Sequence, residues 1–187
     1  MTIHWTTRPE SDTDSDAVRR ILLAAFDTAE EADLVDALRR YPAWVDGLSM
    51  LTVDADGEPV GFALLTRCHI GDTPALCLAP CAVLPQYQRT GAGSAAIRAV
   101  LGAAKQRGEH FVTVLGHPEY YPRFGFTRAS AHDVRMNVVV PEDALMVLAL
   151  DGRPIPGGTI TYAAAFGDID PRATAATTSS SVSAPAT

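Results

Sequence analysis

Residues 75–116, "ALCLAPCAVLPQYQRTGAGSAAIRAVLGAAKQRGEHFVTVLG", change period three times, and no other stretch limits the fold as much. "ALCLAPCAV" (75–83) is an apolar run interrupted by Pro80 and reads as a strand. A polar loop containing Gly91 and Gly93 follows. Ile97, Val100, Leu101 and Ala104 then recur at helical spacing up to Gly108, a residue suited to the left-handed position just past a helix. "FVTVLG" (111–116) is short, apolar and β-branched, which predicts a second strand. The chain therefore contains one β-loop-α-β crossover, and it lies in the middle of the sequence.

The flanking segments are of a different kind. A first strand is predicted near Ile3–Thr7. Ala17, Val18, Ile21, Leu22, Ala25 and Phe26 form one helical face, and a second helix is predicted over Glu30–Arg40 with Leu34, Val35 and Leu38 inward. Thr28 and Glu31 have capping-box spacing at its start. "LSMLTVDADGEPVGFALLTRC" reads as two strands joined by a turn at Asp56-Gly57. "YYPRFGF" is irregular or a brief helical turn. "ALMVLAL" and "GTITYAAAF" read as a closing hairpin across residues 151–158. An antiparallel opening followed by a single crossover predicts an α+β fold, with a mixed, mostly antiparallel central sheet flanked by helices in one domain over residues 1–170. From Pro171 to residue 187 the chain is Ala, Ser, Thr and Pro, a composition that cannot bury a core and is expected to be disordered.

Composition removes several classes of function. A chain of 187 residues with 47% hydrophobic residues can bury a core without staples, and its net charge of −7 argues against nucleic acid as a partner. No apolar run approaches membrane-spanning length and the first residues lack a signal-peptide layout, so no membrane association and a cytoplasmic location are expected. Cys68, Cys77 and Cys81 cannot all pair, which fits a reducing compartment. Cys77 and Cys81 are expected on one face of their strand, ~13 Å apart, too far for a disulfide or a shared metal ion. They read as small buried apolar residues, and no metal is expected. Of the 22 acidic residues, thirteen lie in residues 1–58 against five Arg, so the first third is strongly negative.

The glycine loop carries two overlapping fingerprints. Gly91-Ala92-Gly93-Ser94-Ala95-Ala96 fits the G-x-G-x-x-A pattern of a dinucleotide site. That site needs its strand to run almost directly into the first glycine, at the head of a βαβ series, with an acidic residue near the tip of the next strand. Here seven residues separate Val83 from Gly91, only one βαβ unit is present, and "LGHPE" offers Glu119 only beyond Pro118. The alternative is an anion nest. Backbone N–H groups of residues 88–93 turn toward one point, Gly91 and Gly93 remove Cβ atoms that would block approach, and the helix adds its positive end. A pyrophosphate suits such a cradle.

"VLPQYQRTGAGS" resembles the acetyl-coenzyme A motif of the GNAT superfamily of N-acetyltransferases, whose core pattern is Gln/Arg-x-x-Gly-x-Gly/Ala. "VLGHPEYYPRFGF" is similar to the superfamily's next block, in which a Tyr precedes Gly-Phe by four residues, and is most like a branch of bacterial predicted acetyltransferases. In order and spacing the resemblance runs from about Ile3 to Phe166, with its specific residues concentrated in 81–126.

The resemblance implies a GNAT-like fold, acetyl-CoA as co-substrate and transfer of its acetyl group to a primary amine by direct attack. It implies that the strand ending at Cys81, Ala82 and Val83 is splayed from its parallel neighbour and pairs with the pantetheine arm. Backbone amides of Gln88, Arg89, Thr90, Gly91, Ala92 and Gly93 would hold the pyrophosphate, with the Ser94 hydroxyl and the Arg89 side chain as further contacts. Tyr121 matches the family's general-acid Tyr. A phenol of ordinary pKa near ~10 is protonated at neutral pH and can donate to a departing thiolate. Packing beside Phe124 and Phe126 is the alternative role for Tyr121, and Tyr120 is assigned to the core or the acceptor wall. Many family members carry a Glu on the strand before the loop, but "ALCLAPCAV" has no acid. His117 is a candidate base or proton relay, since imidazole titrates near neutrality; His69, Glu119 and a water chain are further options. The acceptor, a small molecule or peptide amine, is expected against the first two helices, near Asp27, Glu30, Glu31 and Asp33. The sequence is compatible with a homodimer and does not fix the oligomeric state. An acyl-CoA-binding module with a regulatory role is the competing reading.

Overall fold

The computed structural model describes residues 4–167; the Ala/Ser/Thr/Pro tail from Pro171 and Ile3 lie outside them. The chain forms β1 (Thr6–Pro9), α1 (Ser15–Ala25), α2 (Glu30–Leu38), β2 (Trp44–Val53), β3 (Pro59–Ile70), β4 (Thr73–Val83), α3 (Ala92–Gln106), β5 (Phe111–Leu115), β6 (Thr127–Arg128), β7 (Val134–Arg135), β8 (Leu145–Ala149) and β9 (Gly158–Thr161). The central strand order is β1-β2-β3-β4-β5-β8-β6, with β9 joined to β3 and β7. Pairs β1–β2, β2–β3, β3–β4, β5–β8 and β6–β8 are antiparallel, while β4–β5 is parallel. The predicted mixed, mostly antiparallel α+β architecture is the one observed.

Both faces of the sheet are covered, which explains why β3 reads as continuous apolar sequence. Ala63 and Leu65 face α3, joining Ala96, Ile97, Val100, Leu101 and Ala104 in one core. Phe62 and Leu64 face the other way, against Val18, Ile21 and Leu22 of α1 and Ala32, Val35 and Leu38 of α2. The apolar spacing on each helix predicted these faces. A third cluster, including Cys68, Cys77, Phe111, Val147 and Ile160, fills the sheet toward β8 and β9. Helix α3 ends as predicted: Gly108 takes φ +81° and Glu109 N–H donates to the Ala104 carbonyl at 3.0 Å.

Four local expectations are corrected. The closing hairpin does not form, because β8 is flanked on both edges by β5 and β6. Segment β9 instead takes the edge of β3 at His69 and Ile70, which projects past the last β2 pairing at Thr66. Helix α2 also starts one residue later than the Thr28–Glu31 spacing predicts: Ala29 is its N-cap, and Glu30 N–H donates to Thr28 Oγ1 at 3.4 Å. Arg39 and Arg40 fall past the end of α2. Finally, Cys77 and Cys81 do not share a face. Between the pairs Leu65↔Leu78 and Ala63↔Cys81, β3 advances two residues and β4 three. That bulge, at Ala79-Pro80, inverts the facing of everything after it. Cys77 packs in the third cluster and Cys81 against the α3 core.

Candidate active site

The parallel pair β4–β5 makes only two register contacts, Leu76↔Val112 and Cys77↔Thr113. Beyond them β4 continues for six residues to Val83, held on its other edge by β3 at Gly61–Ala63. The two strands thus open into a wedge that widens toward the glycine loop. Leu84 N–H donates to Val60 O at 2.9 Å on the β3 side. Alternation along an antiparallel ladder then turns the backbone groups of Ala82 toward β3 and those of Cys81 and Val83 into the wedge. The Val83 carbonyl accepts from Gln88 Nε2 at 3.3 Å, so the loop folds back on the strand it follows.

The loop is held by contacts from three directions. A 3-10 turn over Pro85–Tyr87 leaves β4, Thr90 Oγ1 donates to the Tyr87 carbonyl at 2.5 Å, and Tyr87 Oη donates to Asp54 Oδ2 at 3.2 Å. Trp5 Nε1, from ahead of β1, donates to the Thr90 carbonyl at 3.0 Å. Arg89 and Gly91 adopt left-handed conformations, with φ +63° and +94°. Alternating left-handed residues turn successive N–H groups to one side, which is how a backbone nest forms. Gly91 is the N-cap of α3, and Ala95 N–H makes the first helical bond, to Gly91 O. Among the described residues no carbonyl accepts from the N–H groups of Arg89 through Ser94, whereas Gln88 N–H is committed to Pro85 O at 3.3 Å. Five of the six predicted cradle amides, plus that of Ser94, are therefore available to an anion at a helix N-terminus.

Helix α3 approaches the end of β4 closely. A Cβ on Gly93 would stand 3.0 Å from Val83 Cγ2 and 3.6 Å from Tyr120 Oη. Thr52 Oγ1 on β2 donates to the Ala92 carbonyl at 2.9 Å and anchors the helix start from below.

The two tyrosines after β5 divide the site between them. Tyr121 is buried, with its ring over Gly116, where a Cβ would lie 2.3 Å from the ring. Its phenol neighbours Cys81, whose bulge-inverted side chain packs against the same α3-facing core. Burial, followed by the neighbouring Cys81, Tyr120 and Cys77, raises the Tyr121 phenol well above its ordinary value. Burial likewise pushes the Cys81 thiol up to about 12. Tyr120, assigned from sequence to the core or acceptor wall, is only partly buried, and its hydroxyl lies 3.2 Å from Ser94 Oγ on the first turn of α3. The rings of Tyr120 and Tyr121 meet edge-on at 5.2 Å.

His117 sits just past the end of β5, half-buried, and its carbonyl accepts from the N–H groups of Tyr120 and Tyr121 at 3.1 and 3.4 Å. It turns the chain that presents both phenols. His69 pairs with Thr161 near the Ile70 end of β3, opposite to the end that meets the glycine loop, so it is not brought to the site. Glu119 is exposed. The acidic helices are partly self-neutralised: Arg19 binds Asp33 and Asp36, and Arg39 binds Asp36 and Glu10. Trp5, Thr52 and the Tyr120–Ser94 contact were not legible in the sequence, because each joins segments at least 26 residues apart.

The profile of the acetyltransferase (GNAT) family matches residues 15–126, a span that holds the splayed strand, the loop and Tyr121. The chain belongs to the GNAT acetyltransferase family. As a family member it is 38% identical over 131 residues to the uncharacterized N-acetyltransferase YjhQ of Escherichia coli K12, covering 67% of this chain and 72% of that one. A GNAT family acetyltransferase from Brucella melitensis, solved in complex with acetyl-CoA, is 29% identical and superposes with a TM-score of 0.72, covering 87% of this chain and 98% of that one. The GNAT N-acetyltransferase YhbS from E. coli, solved with CoA, shares the fold at a TM-score of 0.80 and 24% identity, over 91% of this chain and 96% of that one. Among the described residues no helix is long and apolar enough to cross a membrane.

Proposed function

We propose that this GNAT acetyltransferase moves the acetyl group of acetyl-CoA to a primary amine by direct attack. The observation that carries the reading is the continuous path from the wedge-facing edge of Cys81–Val83 into the nest at Arg89–Gly93, with the Tyr121 hydroxyl beside Cys81. Pantetheine would pair with the free strand edge as an added strand, and the pyrophosphate would take the N–H groups of Arg89 to Gly93 and the Ser94 hydroxyl. A wedge-facing amide of Cys81 or Val83 would receive the carbonyl oxygen. The amine nitrogen forms a bond to the thioester carbon, the carbon–sulfur bond breaks, and Tyr121 gives its proton to the departing sulfur. Burial keeps the phenol protonated and disfavours a thiolate at the same place, as the raised Cys81 thiol shows, so both effects favour the proton's passage to sulfur. His117 is assigned the proton released by the amine, from its place at the end of β5 four residues before Tyr121.

Thiol release from acetyl-CoA, measured against a panel of primary amines, tests the assignment. Amine-dependent release that collapses in Tyr121→Phe supports it. Tight acetyl-CoA binding with no amine-dependent turnover, unchanged by Tyr121→Phe, would overturn it in favour of a regulatory module.

A further inference from the structure

Beside the nest, on the next turn of α3, the surface changes character. Ser94 and Arg98 are four residues apart and share one face of that helix. The Arg98 guanidinium lies over the Phe124 ring at 5.1 Å, and that of Arg123 over the Tyr120 ring at 4.4 Å. The two rings meet each other edge-on at 5.4 Å, and Tyr120 bonds back to Ser94. Both arginines are exposed, and among the described residues neither forms an ion pair. Arg8, Arg19, Arg20, Arg39, Arg67 and Arg153 are matched to carboxylates; Arg98 and Arg123 are instead seated on aromatic rings beside the nest. A guanidinium resting on an aromatic face has lost much of its freedom while its N–H fork still points outward. It is therefore prepared to bind a phosphate in two-point fashion.

We infer that Arg98 and Arg123 recognise the 3′-phosphate on the ribose of coenzyme A, so that the site distinguishes this carrier from its dephosphorylated form. The inference rests on the acetyl-CoA reading above. With the pyrophosphate in the nest, the ribose end of the ligand leaves along the face that carries Ser94 and Arg98. A second dianion then meets two unpaired cations seated on the Tyr120–Phe124 shelf. The pyrophosphate amides are indifferent to that second group; the arginines are not.

Calorimetric titration of the full chain with acetyl-CoA and with 3′-dephospho-acetyl-CoA tests this without requiring turnover. The wild type is expected to bind acetyl-CoA about tenfold or more tightly than the dephospho form, a preference that shrinks as salt is raised. Arg98→Gln and Arg123→Gln should each reduce the preference, and the double variant should abolish it while its affinity for the dephospho form is unchanged. That unchanged affinity also shows the variant to be folded. Equal affinity of the wild type for the two ligands, or a preference that survives in the double variant, would overturn the inference. Failure of the wild type to bind either ligand would instead overturn the acetyl-CoA reading beneath it.

Discussion

Trp5 Nε1 donates to the Thr90 carbonyl at 3.0 Å, across 85 residues of sequence. The bond fixes the carbonyl between Arg89 and Gly91, the two left-handed residues that shape the nest. The Trp5 ring also packs edge-on against Tyr87 at 5.8 Å, so the strand side of the loop is held by the same residue. An anion cradle made of backbone amides depends on such outside restraints, because its donors have no side chains of their own to hold them in place.

Trp5→Phe keeps the ring packing and removes the bond. About 1 kcal/mol of loop restraint is lost, and acetyl-CoA should bind roughly fivefold more weakly in a titration. An unchanged dissociation constant would show that the loop holds its shape without the clamp.

Gly116→Ala places a Cβ 2.3 Å from the Tyr121 ring. One of the two must move, at a cost of about 1–3 kcal/mol, seen as a Tm lower by several degrees. Because the ring carries the proposed proton donor, turnover should fall further than stability alone explains.

Tyr121→Phe should lower kcat by roughly 10²-fold with little change in acetyl-CoA affinity, since only the hydroxyl beside Cys81 is lost. Tyr120→Phe should act mainly on binding, because its hydroxyl contacts Ser94 on the first turn of α3. Steady-state kinetics of the pair, with binding measured separately, tells these roles apart.

The Asp14 carboxylate accepts from Arg8 Nη1 and Nη2 at 2.7 and 2.8 Å and from Ser11 N–H and Oγ at 2.8 and 2.6 Å. The Arg8 bonds, outweighing burial, hold it well below the ordinary carboxylate range. Glu109 is lowered in the same way by Arg67. A depressed folded-state pKa contributes stability that is complete above the unfolded value, near ~4, and is lost as pH falls below it. Thermal unfolding should therefore be flat from neutral pH to about pH 5 and decline below about pH 4. Asp14→Asn should remove about 1 kcal/mol at neutral pH, the part-exposed Arg8 being screened, and make the acid decline shallower.

Much of this was legible in the chain itself. Apolar spacing placed α1, α2 and α3 and the faces they bury, and the β-branched run at 111–115 placed β5. The interval between Val83 and Gly91 and the Tyr-x-x-x-Gly-Phe block pointed to the family. These signals are local: backbone propensity, side-chain period and left-handed glycines act within a few residues of themselves.

What the tertiary structure alone decided depends on contacts between distant segments. Strand β9 joined β3 because β8 had no free edge left and β3 extended past β2. Trp5 reached Thr90 because α3 crosses back over β3 and β2, which brings its start and the loop before it beside β1. The bulge at Ala79-Pro80 matters most for the chemistry. Simple alternation puts Cys81 on the face of Cys77, away from Tyr121; one extra residue in β4 turns it to the α3 side, where the phenol meets it. A period-two pattern has no means of recording a one-residue slip against its neighbour, since the slip exists only once β3 and β4 are paired.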